Sequence, residues 1–288
     1  MKNVAPPTGK PVVLNPNTKL AIAERVEFGK TCTFGPRCRT VSIGFGTVIG
    51  DDVYIDAPIV RIGDYCKIHR GSLLYGYQPL TIGHNCWVGQ NTIIDSIGGA
   101  TIGNNVGIGA LSQLWSHIKF GDTLAGCRWN SSRPLVVEDD VWFVGHCVVC
   151  PITAHQRSMA LVGSVITKDM LPNHIYAGVP AVDVTQKMGS QFAPVDENEQ
   201  RQQFEALYSE FLKQNGITPD QFQAVAVEDL AGRASNHNTT FFCLRDRTYL
   251  PSRSEAEFRF MRFLLYDRAK FVPASTNEQP EQYPEFRE

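Results

Sequence analysis

The side chains best suited to proton transfer near neutral pH are seven histidines: His69, His84, His117, His146, His155, His174 and His237. An imidazole can take a proton from one reacting group and return it to another in that pH range. His117 differs from the others in its surroundings. It opens the stretch WSHIKFGDTLAGCRWNSSRPL (115–135), which holds Trp115, Arg128, Trp129 and Asn130. The eight cysteines offer the other possible chemistry. The only C-x-x-C is Cys147–Cys150, inside an apolar run, and a zinc site needs a second pair or a histidine at ligand spacing. No metal is therefore expected, and the cysteines read as buried, reduced, small apolar side chains.

These residues hang on a repeat. From Phe28 onward an aliphatic or aromatic residue followed by glycine recurs: Phe28-Gly29, Phe34-Gly35, Ile43-Gly44, Ile49-Gly50 and Ile62-Gly63. It continues at Ile82-Gly83, Val88-Gly89, Ile102-Gly103 and Ile108-Gly109, while Ile55, Ile68, Ile94 and Leu114 hold the phase without glycine. The beat is six residues. Neither a helix nor an ordinary strand has that period, and a turn-rich sandwich would space its turns longer and less regularly. Each hexad supplies a short strand and a corner, with the large residue pointing inward and the small one easing the turn. Three hexads make one coil of about eighteen residues, and coils stack by parallel pairing. Gly71–Leu80 reads as a short bulge and 115–135 as a long excursion, a natural place for function. The rungs resume at Val137, Phe143 and Val149 and reach His155, Leu161 and Thr167, which puts His155 at an inward place as a buried rung histidine.

Composition narrows the function. Lys+Arg 27 against Asp+Glu 29 leaves no basic footprint for nucleic acid. The 43% hydrophobic content supports a sizeable core in 288 residues. No run approaches a membrane span of about 18 apolar residues. The start lacks a signal-type apolar region, so the expected location is the cytoplasm.

Residues 141–181 closely resemble the last coils of hexapeptide-repeat acetyltransferases, such as the galactoside, maltose and capsule-sugar enzymes. Gly163-Ser164-Val165-Ile166-Thr167-Lys168-Asp169 and Ile175-Tyr176-Ala177-Gly178-Val179-Pro180-Ala181 carry the likeness. The resemblance covers about residues 25–185. It implies an all-β left-handed parallel β-helix, acetyl-CoA as co-substrate, and a homotrimer with sites between neighbouring coils. In that family a histidine leaves the coil at the start of an extended loop, and His117 holds that place. It implies His117 as the general base and the backbone N–H of Gly145 as the oxyanion donor. It also implies Val162, Gly163, Thr167 and Lys168 as coenzyme A contacts, and Asn91 and Asp95 as acceptor contacts. Relatives often carry Lys or Arg after G-V-P-A. Val182 stands there instead, so that phosphate recognition either falls to Lys187 or Arg157 or is weaker.

The loop's Trp115 and Trp129 suit an acceptor with sugar rings, whose apolar faces pack on aromatics; a tryptophan pinning the loop to a neighbouring subunit is the alternative. The expected reaction moves an acetyl group from acetyl-CoA to a sugar hydroxyl. N-acylation of a nucleotide-linked amino sugar is the second reading. A metal hydratase on the same coil would need closely spaced histidines that this sequence lacks, and a non-catalytic β-helix scaffold leaves His117 and the G-V-P-A terminus without a use. The expected organisation is an extension over 1–24, the coil domain over 25–189, a small α/β appendage over 190–273 and a polar tail over 274–288. In the appendage, 196–214 reads as an amphipathic helix stopped by Gly216. Strands fall near 240–244 and 248–250, and a second helix spans about 254–270, with Ser254 and Glu257 as a capping box.

Overall fold

A computed structural model of the protein describes residues 9–131 and 133–274. The first residues of the 1–24 extension and nearly all of the 274–288 tail lie outside the described residues. The chain divides into two compact units, Met1–Phe192 and Ala193–Glu288.

In the first unit, apart from the hairpin arm, the chain visits three sheets of parallel strands in rotation up to Val165–Ile166, and the third sheet ends in an antiparallel pair, Ile175–Gly178 with Ala181–Asp183. Gln113–Leu114 lies in the first sheet, Leu135–Val137 in the second, Trp142–Phe143 in the third, and Val148–Val149 returns to the first. Registers stack the inward residues directly. In the first sheet Leu74 pairs with Ile94, Ile94 with Leu114, Leu114 with Val149, and Val149 with Ile166. In the third, Val88 pairs with Ile108, Ile108 with Phe143, and Phe143 with Ala160. All of these side chains are buried and form one continuous core. This architecture fits the β-helix expected from the six-residue beat. Each inward aliphatic or aromatic side chain contributes about 1.5–3 kcal/mol by leaving water, and no single coil could bury its own apolar face.

The corners show what the small residues do. A Cβ on Gly109 would stand 2.0 Å from the Val144 carbonyl oxygen of the next coil, so only glycine permits the coils to approach there. The cysteines are more than apolar filler. Thr47, Cys66 and Cys86 occupy one recurring place, and each donates to the corner carbonyl of the following coil: Thr47 to Gly63 at 2.7 Å, Cys66 to Gly83 at 2.9 Å, Cys86 to Gly103 at 3.0 Å. Burial disfavours the Cys66 thiolate, and it pushes Cys32 up to about 12.

Four expectations change. The coil begins before residue 25, because Val12–Val13 pairs with Thr33–Phe34 and Lys19–Ile22 with Thr40–Ile43; these first strands lack the glycine that marks later rungs. Gly71–Leu80 is not a bulge, because Leu73–Tyr75 pairs with strands on both sides and Leu74 points inward where Tyr75 replaces the usual glycine. One residue is missing from the beat after Val149, so Ala154 and Ala160 take the inward places and His155 stays half-buried outside. The excursion is partly ordered, with Ile118–Lys119 pairing antiparallel to Asn130–Ser131.

In the second unit, helix Glu197–Asn215 is capped by Asp196, whose side chain accepts from the Glu199 N–H, and stops at left-handed Gly216. Helix Glu255–Leu264 starts at Ser254 as expected but ends earlier, and the chain returns to pair Val272–Pro273 with Thr248–Tyr249. Strands Gln223–Val227 and Thr239–Cys243 complete a four-stranded sheet. Phe204, Phe211, Phe222, Phe242 and Phe260 fill its core with edge-on and tilted ring contacts.

Candidate active site

His117 stands three residues after inward Leu114, where the chain leaves the first sheet for the hairpin arm. Its coil neighbour Asp95 follows inward Ile94 on the adjacent strand. The His117 Nδ1 lies 3.0 Å from Asp95 Oδ1. A carboxylate only accepts, so Nδ1 carries the hydrogen and Nε2 is left as the basic nitrogen. Asp95 Oδ1 also accepts from the Ser116 backbone N–H at 3.0 Å, from the Ser116 hydroxyl, and from the Ile97 N–H at 3.3 Å. Ser116 is fixed in turn by the Gly98 N–H, which donates to its hydroxyl oxygen at 2.8 Å. Trp115 packs edge-on to the imidazole, ring centroids 6.1 Å apart.

Burial separates this histidine from the rest. His155 pairs with Glu138 at 3.0 Å and His174 with Asp183 at 2.6 Å, but both of those carboxylates are about 40% exposed. Asp95 is fully buried, and His117 itself is 21% exposed. A carboxylate withdrawn from water interacts more strongly with an imidazolium than an exposed one does. His84 is spent on structure, its Nδ1 accepting the Asp64 N–H at 2.9 Å. His69 lies against Trp87, and burial lowers its pKa.

Asp95 is thereby reassigned. Expected to touch the acceptor, it has no exposed surface, and its occupied oxygen faces Ser116 and His117. Its geometry suits holding the imidazole rather than touching an acceptor. Sequence spacing could have suggested this, because Asp95 and His117 lie one coil apart.

The other residues fall on two different edges of the first sheet. Gly145, Val162 and Gly163 precede its strands Val148–Val149 and Val165–Ile166, and Asn91 precedes Ile93–Asp95. The Gly163 N–H donates to the Gly145 carbonyl at 3.0 Å, which stacks these two corners. Gly145 has φ +148°, and a Cβ there would find its nearest neighbour at 3.5 Å, so backbone conformation rather than space favours glycine. Val162 is 65% exposed. Thr167 and Lys168 follow Ile166 on the opposite edge, the one that carries Asp95, Trp115 and His117; both are exposed. Two strand spacings separate the His117 and Lys168 coils, about 10 Å. Crossing the sheet from Gly145's edge to His117's takes four or five extended residues, on the order of 15 Å. One chain therefore does not bring His117 and Gly145 together. Trp129 is 76% exposed on the arm, and Phe120 and Leu124 are almost completely exposed. Among the described residues no group of three or more His, Cys, Asp or Glu could hold a metal ion.

No family model matches the chain. A galactoside O-acetyltransferase of Escherichia coli (strain K12) is 31% identical over 140 residues, 47% of this chain and 61% of that protein. A protein of Schizosaccharomyces pombe named as an acetyltransferase is 30% identical over 111 residues, 37% of this chain and 52% of its own length. The chain thus spans between half and two thirds of the curated relatives it matches. Among solved structures, a maltose O-acetyltransferase from Clostridium difficile 630 is 24% identical, with a TM-score of 0.36 over 49% of this chain and 67% of that one. The resemblance to hexapeptide-repeat acetyltransferases read from residues 141–181 is borne out by the two curated relatives.

Proposed function

We propose that this chain transfers an acetyl group from acetyl-CoA to a hydroxyl of a sugar-containing acceptor, with His117 as general base. The observation that carries the reading is the His117 imidazole held through Nδ1 by a fully buried carboxylate at the root of an excursion from the coil. Nε2 takes the acceptor's hydroxyl proton as its oxygen attacks the thioester carbonyl. The tetrahedral oxyanion is held by the Gly145 N–H, and a preorganised donor of that kind contributes about 2.7–4 kcal/mol. Collapse breaks the carbon–sulfur bond, and the imidazolium returns its proton to the departing thiolate. The products are an acetyl ester and free coenzyme A. Val162, Gly163, Thr167 and Lys168 hold the coenzyme, with Lys168 as a cation for its phosphates.

The split between the two sheet edges supports a homotrimer in which one subunit's His117 meets its neighbour's Gly145 edge. Cyclic symmetry closes three such interfaces at once. The exposed Phe120, Leu124 and Trp129 of the arm supply apolar surface for that contact. The coil is left-handed in this reading, and the protein works in the cytoplasm, where acyl-coenzyme A is available. No helix among the described residues is long and apolar enough to cross a membrane.

The test is release of free thiol from acetyl-CoA with sugars, sugar nucleotides and amino-sugar nucleotides as acceptors, for wild type and His117→Ala. Acceptor-dependent release that falls about 10²–10⁴-fold in the variant is expected. Undiminished release would remove His117 as the base, and preference for the amino-sugar nucleotide would replace O-transfer with N-transfer.

A further inference from the structure

The coenzyme contacts proposed above lie on the C-terminal side of His117, so an acceptor approaches from the N-terminal coils. On that side one recurring place is the third residue after each inward residue of the first sheet. Counting from Phe34, Ile55, Leu74, Ile94 and Leu114, it is held by Arg37, Pro58, Tyr77, Ile97 and His117. Tyr77 is 59% exposed, a large aromatic left at the surface two coils from the imidazole. The Arg37 guanidinium lies 4.9 Å from its ring centroid. Arg37 is also tied to Asp56, through its side chain and through its backbone N–H at 2.7 Å. That pairing fixes the guanidinium's position while leaving its side chain 45% exposed. Arg39 stands beside it, exposed and with no ion pair among the described residues, and Asn15, Pro36, Arg37, Arg39 and Pro58 line an open groove.

The charge along this path has one sign at the surface. The two carboxylates that follow the same inward residues, Asp56 and Asp95, are both buried and both committed, to Arg37 and to Ser116 and His117. What a ligand meets is an aromatic face and then two guanidinium groups. Guanidinium forks match carboxylates in plane and number of donors. Successive coils are about 4.8 Å apart, so Tyr77 lies roughly 10 Å along the edge from His117, further than one sugar ring reaches.

We infer that the acceptor is an acidic glycan of more than one sugar unit, whose reacting sugar sits at His117, whose next ring packs on Tyr77, and whose carboxylate is bound by Arg37 and Arg39. This rests on the acetyl-transfer reading for the position of the reacting sugar. The probe is an oligogalacturonate trimer beside its fully methyl-esterified form, which keeps the skeleton and removes the charge. Binding is measured by calorimetry to the full chain with coenzyme A present, at low and at 150 mM salt. The free acid is expected to bind at least tenfold more tightly than the ester at low salt, with a smaller ratio at 150 mM. Arg39→Ala, at an exposed position outside the core, should abolish that ratio. Tyr77→Ala should weaken acid and ester by the same factor. Equal binding of acid and ester, including no binding of either, overturns the inference, and so does a preference that survives Arg39→Ala. Coenzyme A binding involves neither residue, and thiol release is scored separately on neutral acceptors that need no carboxylate site, so failure here leaves the transfer reading standing and failure there is recognised on its own.

Discussion

Replacing Asp95 by asparagine separates positioning from charge. The asparagine oxygen can keep every bond that Asp95 Oδ1 makes, to Ser116, Ile97 and His117. The imidazole therefore keeps its place and its tautomer. What is lost is the negative charge that, in the proposed transfer, faces the imidazolium while it holds the acceptor's proton. A buried hydrogen bond to a charged group contributes about 1.5–3 kcal/mol, which converts to roughly a 10–150-fold fall in kcat. The new amide nitrogen takes the place of Asp95 Oδ2, a buried atom with no partner among the described residues. Leaving its hydrogens unsatisfied costs about 1–3 kcal/mol of stability, offset in part because a charge no longer has to be buried. The assay is steady-state thiol release with acetyl-CoA varied, beside a thermal melt. KM for acetyl-CoA should not move, since Asp95 has no exposed surface to offer it. A variant with wild-type kcat, or one whose whole loss lies in KM for acetyl-CoA, would refute the assignment of Asp95 to His117.

Ser116→Ala removes the hydroxyl that Asp95 and the Gly98 N–H share, so it should lower kcat severalfold and destabilise the fold by about 1–2 kcal/mol, read by the same assay and melt. Phe143→Ala empties an inward place between Ile108 and Ala160 and should cost about 3–5 kcal/mol in denaturant unfolding; a cost under 1 kcal/mol would contradict the core described here. Hydrogen bonds from Thr185 and the contact with His174 hold Asp183 down to about 2. A depressed carboxylate contributes stability that is full above its unfolded pKa of about 3.9 and is lost as pH falls through about 2. Asp183→Asn should remove that acid-dependent loss in a circular-dichroism titration from pH 5 to 2 and leave the rest of the curve unchanged.

Much of the coil was legible because its period is covalent. A six-residue beat in large and small residues states where the chain turns, and neither composition nor context is needed to read it. The departures have a common cause: the chain breaks both the glycine mark and the fixed count. Leu74 has tyrosine where glycine was sought, and the residue missing before Ala154 shifts every later place by one. His155 was thus assigned inward although Ala154 fills the core. The second unit yielded its helices through their caps, but strand Gln223–Val227, with alanine and valine alternating, gave too short a signal to stand without its partner. The partnership of Asp95 with His117 needed register, since 22 residues separate them in the chain. Sequence assigned both to one site, with Asp95 as an acceptor contact, because it does not show that Asp95 lies wholly buried.

The same register makes the interface testable without a structure of the assembly. If His117 works with the Gly145 N–H of a neighbour, no subunit carries a complete site, and two different defects can complement. His117→Ala lacks the base and keeps a normal Gly145 edge. Gly145→Ala keeps the base but forces a side chain onto a backbone at φ +148°, a strain of about 1–3 kcal/mol that turns the N–H away. Each variant alone should be nearly inactive. When the two are unfolded, mixed in equal amounts and refolded together, a site is whole wherever a Gly145→Ala chain supplies the histidine and a His117→Ala chain supplies the glycine edge. Random assembly into rings makes that about one site in four, so roughly a quarter of wild-type activity should return. If both groups came from one chain, every site would still carry one defect and mixing would restore nothing.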